Sequence, residues 1–509
     1  MAVTALRRHF IGLAMLCSSV LAGTPVWAEE ADIPRQGGTL HIALTNETDS
    51  WNPQKAVQTA SYQVFTQVYG TLLRTSPDGR DLGPGLAQSY SYDESKSHLT
   101  FKLSPKATFS NGTAVTSADV KFSYSLWAGD SLYAQYYSSI KSVETPDPST
   151  VVFILSAPDV TLLNILASAN AAIVPKDFGG LSAADFWQRP ISAGPFVIDA
   201  ESKGQTISLK RNPHYYEPGL PYLDGIEYLV VPDENQRLLQ YQNGDIDIVN
   251  SVDVGAAAQY GPDATVSALS ATVNFLLIQA GSGPLADVRL RKAATLAIKH
   301  ADLVAGGYSG QAQQAVSVIP QVVTGARTCG ECDWGRTDLD EAKRLVAEAG
   351  YKGQPLSLAA PSDAGPELLA AQAIKPMLEA AGFSINIEAA PSLVLADRLE
   401  KGDFQMVVLN VSSQANTPSD MLGFIVSTGY LYTRADTAKA VAALQAIQSA
   451  DDRGKVEAAS MAFEADAYAT HSTVPLAALN DIYAVSARVR GFQAPVFATY
   501  VADRLWISQ

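Results

Sequence analysis

Phe109-Ser-Asn-Gly-Thr-Ala-Val-Thr-Ser-Ala-Asp-Val-Lys-Phe122 is the stretch from which the rest of the chain is best read. Asn111-Gly112 suits a tight turn, because glycine tolerates positive φ and asparagine bonds its own backbone. Thr116 with Asp119 then opens a helix in capping-box style, and the spacing predicts that it runs to Trp127. Just upstream, Leu99-Thr-Phe-Lys-Leu103 alternates as a half-buried strand.

Toward the N-terminus, residues 37–44 alternate between glycines and Asn46 and read as a first strand. Tyr62, Val64, Phe65, Val68, Tyr69 and Leu72 fall at helical spacing, predicting a helix over 60–73 that ends at Pro77-Asp78-Gly79. Toward the C-terminus, strands are predicted at 151–155 and 206–211, with a helix near 162–169 and a turn at Gly194-Pro195 between them. A strand at 226–232, a helix at 234–243 stopped by Gly244 and a short strand at 245–248 follow. Next come a strand at 273–279 and helices at 288–300 and 339–349. A β-α-β unit spans 356–389, its helix at 367–381 interrupted by Pro376. Residues 404–409 are apolar enough for a buried strand, 437–469 read as one or two helices, and short strands close the chain at 474–479 and 482–486. Helix and strand are mixed without a clean βαβ repeat. No Pro/Gly-rich linker cuts the chain, so it passes back and forth between domains.

Composition narrows the function classes. A chain of 509 residues corresponds to roughly three domains at about 100–200 residues each. With 36 Lys+Arg against 51 Asp+Glu, a net charge of −15 and no basic run, nucleic acid is not the expected partner. Six His and three Cys, without a His- or Cys-rich tract, give no dedicated metal site and no cofactor. There is no Gly-x-Ser-x-Gly elbow, P-loop or His-Glu-x-x-His helix, and His214 and His471 stand isolated, so the chain is not read as an enzyme.

Arg7 and Arg8 precede an apolar run at 10–22, and Val26-Trp27-Ala28 supplies a small-residue cleavage site. This is the pattern of a cleavable signal peptide over 1–28, and the run is shorter than the roughly 20 residues a membrane span needs. Arg7-Arg8-His-Phe-Ile11 resembles the core of a twin-arginine signal, with Leu6 where Ser or Thr is usual. Leu16 before Cys17 is too large for a lipoprotein signal, which favours a free periplasmic protein. Cys329 and Cys332 then remain, read as a local structural disulfide in an oxidising compartment, with a thioredoxin-like redox pair as the alternative.

The order of motifs resembles the bacterial extracellular solute-binding protein family 5, the periplasmic dipeptide-, oligopeptide- and nickel-binding proteins of ABC importers. The pieces are Gly37-Gly-Thr-Leu40, Asn52-Pro53, Gly85-Leu-Ala-Gln-Ser-Tyr90, Leu99-Thr-Phe-Lys-Leu103 and the 109–122 stretch. They continue with Ala193-Gly-Pro-Phe196, Leu209-Lys-Arg-Asn-Pro-His-Tyr-Tyr216, Pro221-Tyr-Leu-Asp224, Gly244-Asp-Ile-Asp247, Asp287-Val-Arg-Leu-Arg-Lys-Ala293 and Asp340-Glu-Ala-Lys-Arg-Leu345. Each is weak alone; their shared order is specific. The resemblance implies an α/β fold, a two-lobed periplasmic binding protein of the large three-domain type II variant, with hinge strands and a cleft that closes on solute. It further implies a first lobe from 29–64, 191–272 and 481–509, a small α+β domain at 65–190 attached to it, and a second lobe at 273–480.

Ligand contacts are expected on loops beyond strand ends. The loop after the 404–409 strand begins Asn410-Val-Ser-Ser-Gln-Ala-Asn416. In peptide-binding relatives the matching segment resembles Gly-Trp-Gly-Ala-Asp, whose Asp pairs with the peptide's α-amine. Gln414 stands at that Asp position here, and an amide cannot replace a charge-assisted bond. The departure favours a solute rich in hydroxyl or carboxylate groups, an opine or sugar conjugate, over an ordinary dipeptide or oligopeptide. Ser412, Ser413, Gln414 and Asn416 suit such a ligand, the competing role being satisfaction of the loop's own backbone. Tyr133 and Tyr136 offer aromatic walls, with core packing as the alternative; Lys55 and Arg434 are candidate cations for a carboxylate. Asn170 falls where nickel-binding relatives resemble one another in an Arg that holds a metallophore, which argues against nickel chelates. The expected partners are a small-molecule solute and an ABC permease–ATPase complex, with the protein itself a monomer; a periplasmic hydrolase is the alternative from another class.

Overall fold

The computed structural model describes residues 33–76, 81–261, 263–362, 365–413, 415–428 and 437–508. The signal-peptide reading, the Pro77-Asp78-Gly79 turn, Gln414 and Arg434 lie outside these residues. From Arg35 onward the chain forms one compact unit.

The 109–122 stretch folds as its chemistry dictates. Gly112 takes φ +84°, Phe109 N donates to Thr113 O at 2.8 Å, and the helix Ser117–Trp127 starts behind a reciprocal Thr116–Asp119 capping box. Thr116 N donates to Asp119 Oδ2 at 2.7 Å. Trp127 ends the helix fully buried and stacked on Tyr137, ring centroids 5.1 Å apart. This helix belongs with a four-stranded antiparallel sheet in the order Ala87–Tyr92, His98–Leu103, Thr150–Leu155, Ile140–Asp147.

An eleven-stranded sheet forms the frame. Its first-lobe half contains Thr39–Leu44, parallel to both Gly225–Val230 and Ile248–Val249, then Thr206–Arg211 and Phe196–Ser202 in antiparallel extension. Its second-lobe half contains Ile385–Ala390, Leu356–Pro361 and Met406–Ser412, mutually parallel where they pair. Two long strands, Thr265–Ile278 and Thr473–Val485, join the halves. They pair antiparallel from Thr265↔Ala484 to Leu269↔Asn480 and again from Val273↔Ala478 to Leu277↔Thr473, with a register break between Leu269 and Val273. Each lobe has its own apolar core, one around Leu40, Phe65, Phe101 and Phe153, the other around Phe275, Leu358, Ile374 and Val408.

The C-terminal segment returns to the first lobe. Gln63 Nε2 donates to Ala498 O (3.2 Å), Thr66 Oγ1 to Tyr500 O (3.0 Å) and Ala502 N to Gln67 Oε1 (2.8 Å), so the helix Thr59–Val68 is completed by the last residues of the chain. Gly194 lies against that helix end: a Cβ there would stand 2.5 Å from the Val68 carbonyl.

Several boundaries differ from the sequence expectation. The helix expected over 60–73 ends at Val68, because Tyr69 turns extended (φ −97°, ψ 146°) and Leu73–Thr75 is a strand. The 162–169 helix is α only over Leu162–Ile165 and continues as a 3-10 turn at Ala169–Ala171. The 288–300 helix breaks at Ile298 (φ −80°, ψ 121°) into Val288–Ala297 and His300–Gly307. Pro376 does not interrupt Gly365–Ala380. The two short closing strands are one, since Asn480-Asp481 interrupts the apolar pattern while the backbone ladder continues through them.

Candidate functional site

Groups that bind a solute collect beyond the carboxyl ends of parallel strands, where loops can converge. In the first lobe those ends are Leu44, Val230 and Val249; in the second they are Pro361, Ala390 and Ser412. The segments leaving them and the two hinge strands bound the candidate cleft.

Ser412 sits at the end of its strand, directly opposite Thr272 on the first hinge strand, their hydroxyls 2.7 Å apart. Ser413 is buried, its Oγ 2.8 Å from Asp420 Oδ2, and Ala415 N donates to the same oxygen at 3.0 Å. Asn416 Oδ1 accepts Thr324 N at 2.6 Å. Ser413 and Asn416 thus hold the loop's own fold. Lys55 pairs with the exposed Asp130 at 2.7 Å. Asn170 is buried; its carbonyl accepts Gln54 Nε2 at 2.6 Å, while its Oδ1 has no partner among the described residues.

Tyr133 and Tyr136 are buried; Tyr133 ties the small antiparallel segment to the first lobe, and Tyr136 makes its contact with the second. The Tyr62 hydroxyl donates to Tyr133 Oη at 2.8 Å, and Tyr133 donates to Ala56 O at 2.7 Å. Burial pushes the Tyr133 hydroxyl up to about 12. Burial, and then the Asp420 carboxylate to which it hydrogen-bonds, raises Tyr136 well above the usual range. The Tyr136 ring lies over Gly423 of the helix Pro418–Thr428, where an added Cβ would come within 2.8 Å of it. Alongside, Ser419 Oγ meets Thr161 Oγ1 at 3.1 Å, Val160 N donates to Ala450 O at 3.1 Å, and Gln448 Nε2 donates to Gln135 O at 3.1 Å. The Val160–Thr161 turn is shaped by Asp159, whose Oδ1 accepts Thr161 N (3.0 Å) and Leu162 N (3.1 Å); burial lifts that carboxyl to about 6. The small segment is therefore latched to the second lobe by these polar bonds, with Lys96 Nζ donating to Asp451 O and Tyr136 bonded to the Asp420 carboxylate, and by one tyrosine ring.

The hinge carries polar groups that the sequence reading did not nominate. Ser270 Oγ donates to Leu479 O at 3.1 Å within the register break. Asn480 and Asp481 follow on the second hinge strand, and Asn480 Oδ1, Asp481 Oδ2 and Tyr483 Oη are buried atoms without partners among the described residues. Tyr483 packs on Phe492 (5.4 Å between centroids), which packs edge-on against Tyr500 (5.2 Å). Tyr500 Oη donates to Asn250 Oδ1 at 3.0 Å, just beyond the carboxyl end of Ile248–Val249, and Asn250 Nδ2 has no partner among the described residues. The signal was there to be read: two adjacent polar residues inside the apolar run 473–485.

Cys329 and Cys332 are joined, with Cα atoms 5.2 Å apart. Their loop is tied to the helix Arg453–Thr470 through Glu464, which accepts Trp334 Nε1 at 3.3 Å and Val318 N at 2.6 Å. Among the described residues no three His, Cys, Asp or Glu side chains gather as a metal site. A cavity of about 860 Å³ lies between the end of the helix Thr59–Val68 and residues 491–505; it reaches Phe492 and Tyr500 but none of the residues nominated from sequence.

Two lobes are thus bridged by paired strands, with buried polar groups at the bridge that have no partner among the described residues. The model for bacterial extracellular solute-binding proteins, family 5 Middle, matches residues 81–432, more than half of the chain, which belongs to this family. The oligopeptide-binding protein AppA of Bacillus subtilis is 28% identical over 352 residues, covering 66% of this chain but only 64% of AppA. The probable D,D-dipeptide-binding periplasmic protein DdpA of Escherichia coli is 28% identical over 396 residues, 75% of this chain and 73% of DdpA. Among solved structures, AgaA of A. tumefacien R10 in complex with agropinic acid superposes with a TM-score of 0.79 at 26% identity, over 93% of this chain and 99% of AgaA.

Proposed function

We propose that this chain is the periplasmic substrate-binding component of an ABC-type importer, capturing a small polar solute of the peptide, opine or sugar-conjugate class without turnover. The observation that carries the reading is the pair of hinge strands flanked by unpaired buried polar groups, beside a polar latch between the small segment and the second lobe. Buried polar atoms cost roughly 1–3 kcal/mol each when unpaired. A solute in the cleft satisfies them, and the latch gives closure its stopping point. AgaA's agropinic acid and AppA's peptides frame the solute classes to try.

In this reading residues 1–28 are a signal peptide, 29–64, 191–272 and 481–509 form the first lobe, 65–190 the attached small domain and 273–480 the second lobe. Ser412 and Asn170 border the solute space; Ser413, Asn416, Tyr133 and Tyr136 act behind it by fixing the loop and the latch. The protein works as a monomer that docks on its permease when closed. The test is native mass spectrometry of the mature protein, then calorimetric titration with dipeptides, D,D-dipeptides, opines, oligosaccharides and nickel chelates. One class binding, with no chemical change in the recovered solute, is expected. Hydrolysed product in the recovered fraction sinks the transport reading in favour of a hydrolase.

A further inference from the structure

We propose that Asp481 is the anchor for a positively charged nitrogen of the solute, so that the cleft selects amines. This deepens the solute-binding reading above and rests on it.

Asp481 lies on the second hinge strand opposite Ala268, two residues from Tyr483 and on the same face of the strand. Its Oδ2 is buried without a partner among the described residues, while the residue as a whole is only half-buried and so is not sealed in a core. On the facing strand the contact is the neutral Ser270 hydroxyl; on its own strand it is Tyr483. No Lys, Arg or His acts on it among the described residues. The nearby hinge-end cation, Arg488, is spent on Asp247 at 2.8 Å. Burial alone pushes the Asp481 carboxyl up to about 7.

A buried carboxylate without a cation is costly, and proteins either pair it or protonate it. The surroundings favour pairing with an organic cation. Tyr483, which interacts with Asp481, begins an aromatic row that continues through Phe492 to Tyr500, and aromatic faces attract ammonium groups. Asn480 Oδ1 is a further unpaired acceptor on the adjacent residue, and Asn250 Nδ2 an unpaired donor for an oxygen elsewhere on the same solute. An amine that also carries a carbonyl or carboxylate oxygen matches this set.

The experiment uses the mature protein and a small-molecule extract of bacterial cytosol, offered untreated and after complete N-acetylation with acetic anhydride; captured solutes are identified by native mass spectrometry. The expected result is capture of solutes bearing a basic nitrogen from the untreated extract and of none from the acetylated one. Asp481→Asn, checked for folding by thermal unfolding, should bind the captured solute about 100-fold more weakly by calorimetry. Capture of solutes without a basic nitrogen, equal capture of acetylated solutes, or an unchanged affinity in Asp481→Asn overturns the assignment while leaving the cleft reading intact. Empty wild-type protein from both extracts overturns the cleft reading, and the anchor with it. If Asp481→Asn does not fold, the acetylation comparison on wild-type protein decides.

Discussion

Gly423→Ala should push the protein toward its open form. The added methyl would stand 2.8 Å from Cε1 and 3.0 Å from Cδ1 of Tyr136. That ring cannot step aside: it is buried, its centroid lies 5.5 Å from that of Tyr133, its backbone N donates to Tyr133 O at 2.9 Å, and its hydroxyl is held by Asp420. Overpacking of this kind costs about 1–3 kcal/mol, and only when the lobes are together. With the lobes apart the clash vanishes, while the gain in helix propensity from alanine in Pro418–Thr428, about 0.5–1 kcal/mol, is shared by both forms and cancels between them. The closed-to-open balance therefore moves by about 1–3 kcal/mol, roughly one to two powers of ten. Small-angle scattering should report a larger radius of gyration for the solute-free variant, and calorimetry a correspondingly weaker affinity for the solute the wild type captures, with thermal stability little changed. Adding Tyr136→Ala should restore much of the closed population, because it removes the clashing ring. Wild-type dimensions and affinity in Gly423→Ala, or no rescue in the double variant, would refute the reasoning.

Three further outcomes are expected. His471 is buried and lies against Trp334 and Tyr468, its Nδ1 3.1 Å from Thr295 Oγ1; burial, then Lys292 and Arg291, lowers it from 6.5 to about 4. The unfolded chain then takes up the proton first, so stability present above pH 6.5 is lost as pH falls toward 4, by up to about 3 kcal/mol; urea titrations of His471→Asn should lack that part of the acid slope. Opening the Cys329–Cys332 bridge by Cys→Ser at both positions should cost about 2 kcal/mol, because the closed loop is short, measured by guanidinium unfolding against oxidised wild type, while reduced wild type should match the variant. Gly194→Ala sets a methyl 2.5 Å from backbone atoms that cannot yield, and should cost more than about 3 kcal/mol; a wild-type melting curve would contradict the packing described.

Local chemistry made much of the fold legible. Thr116 and Asp119 announce their helix. Asp233 and Gly244 bracket another, accepting Gln236 N at 2.9 Å at one end and taking φ +82° at the other. What stayed hidden depends on partners distant in sequence. Asn480-Asp481 looks like a break between strands, since only the paired strand 265–269 shows that the backbone continues. The loop serines drew attention as polar groups free for a ligand, but Ser413 faces Asp420, a pairing set by the turn into the next helix. Tyr136 reads equally as wall or core, and its place over Gly423 comes from a helix 287 positions further along the chain, which periodicity cannot supply.

The return of the C-terminal segment to the helix Thr59–Val68 has a consequence for how the molecule is made. Gln63 waits for Ala498, 435 positions away in sequence, and the strand Ile248–Val249 waits for Ala484 and Val485. Contacts this remote form late, because the chain between them must first lose its freedom. A nascent chain therefore has no finished first lobe to settle into until residues 484–502 have emerged. Until then its early half stays open to whatever chaperone or translocation machinery handles unfolded chains, and native compaction becomes available only when those residues arrive.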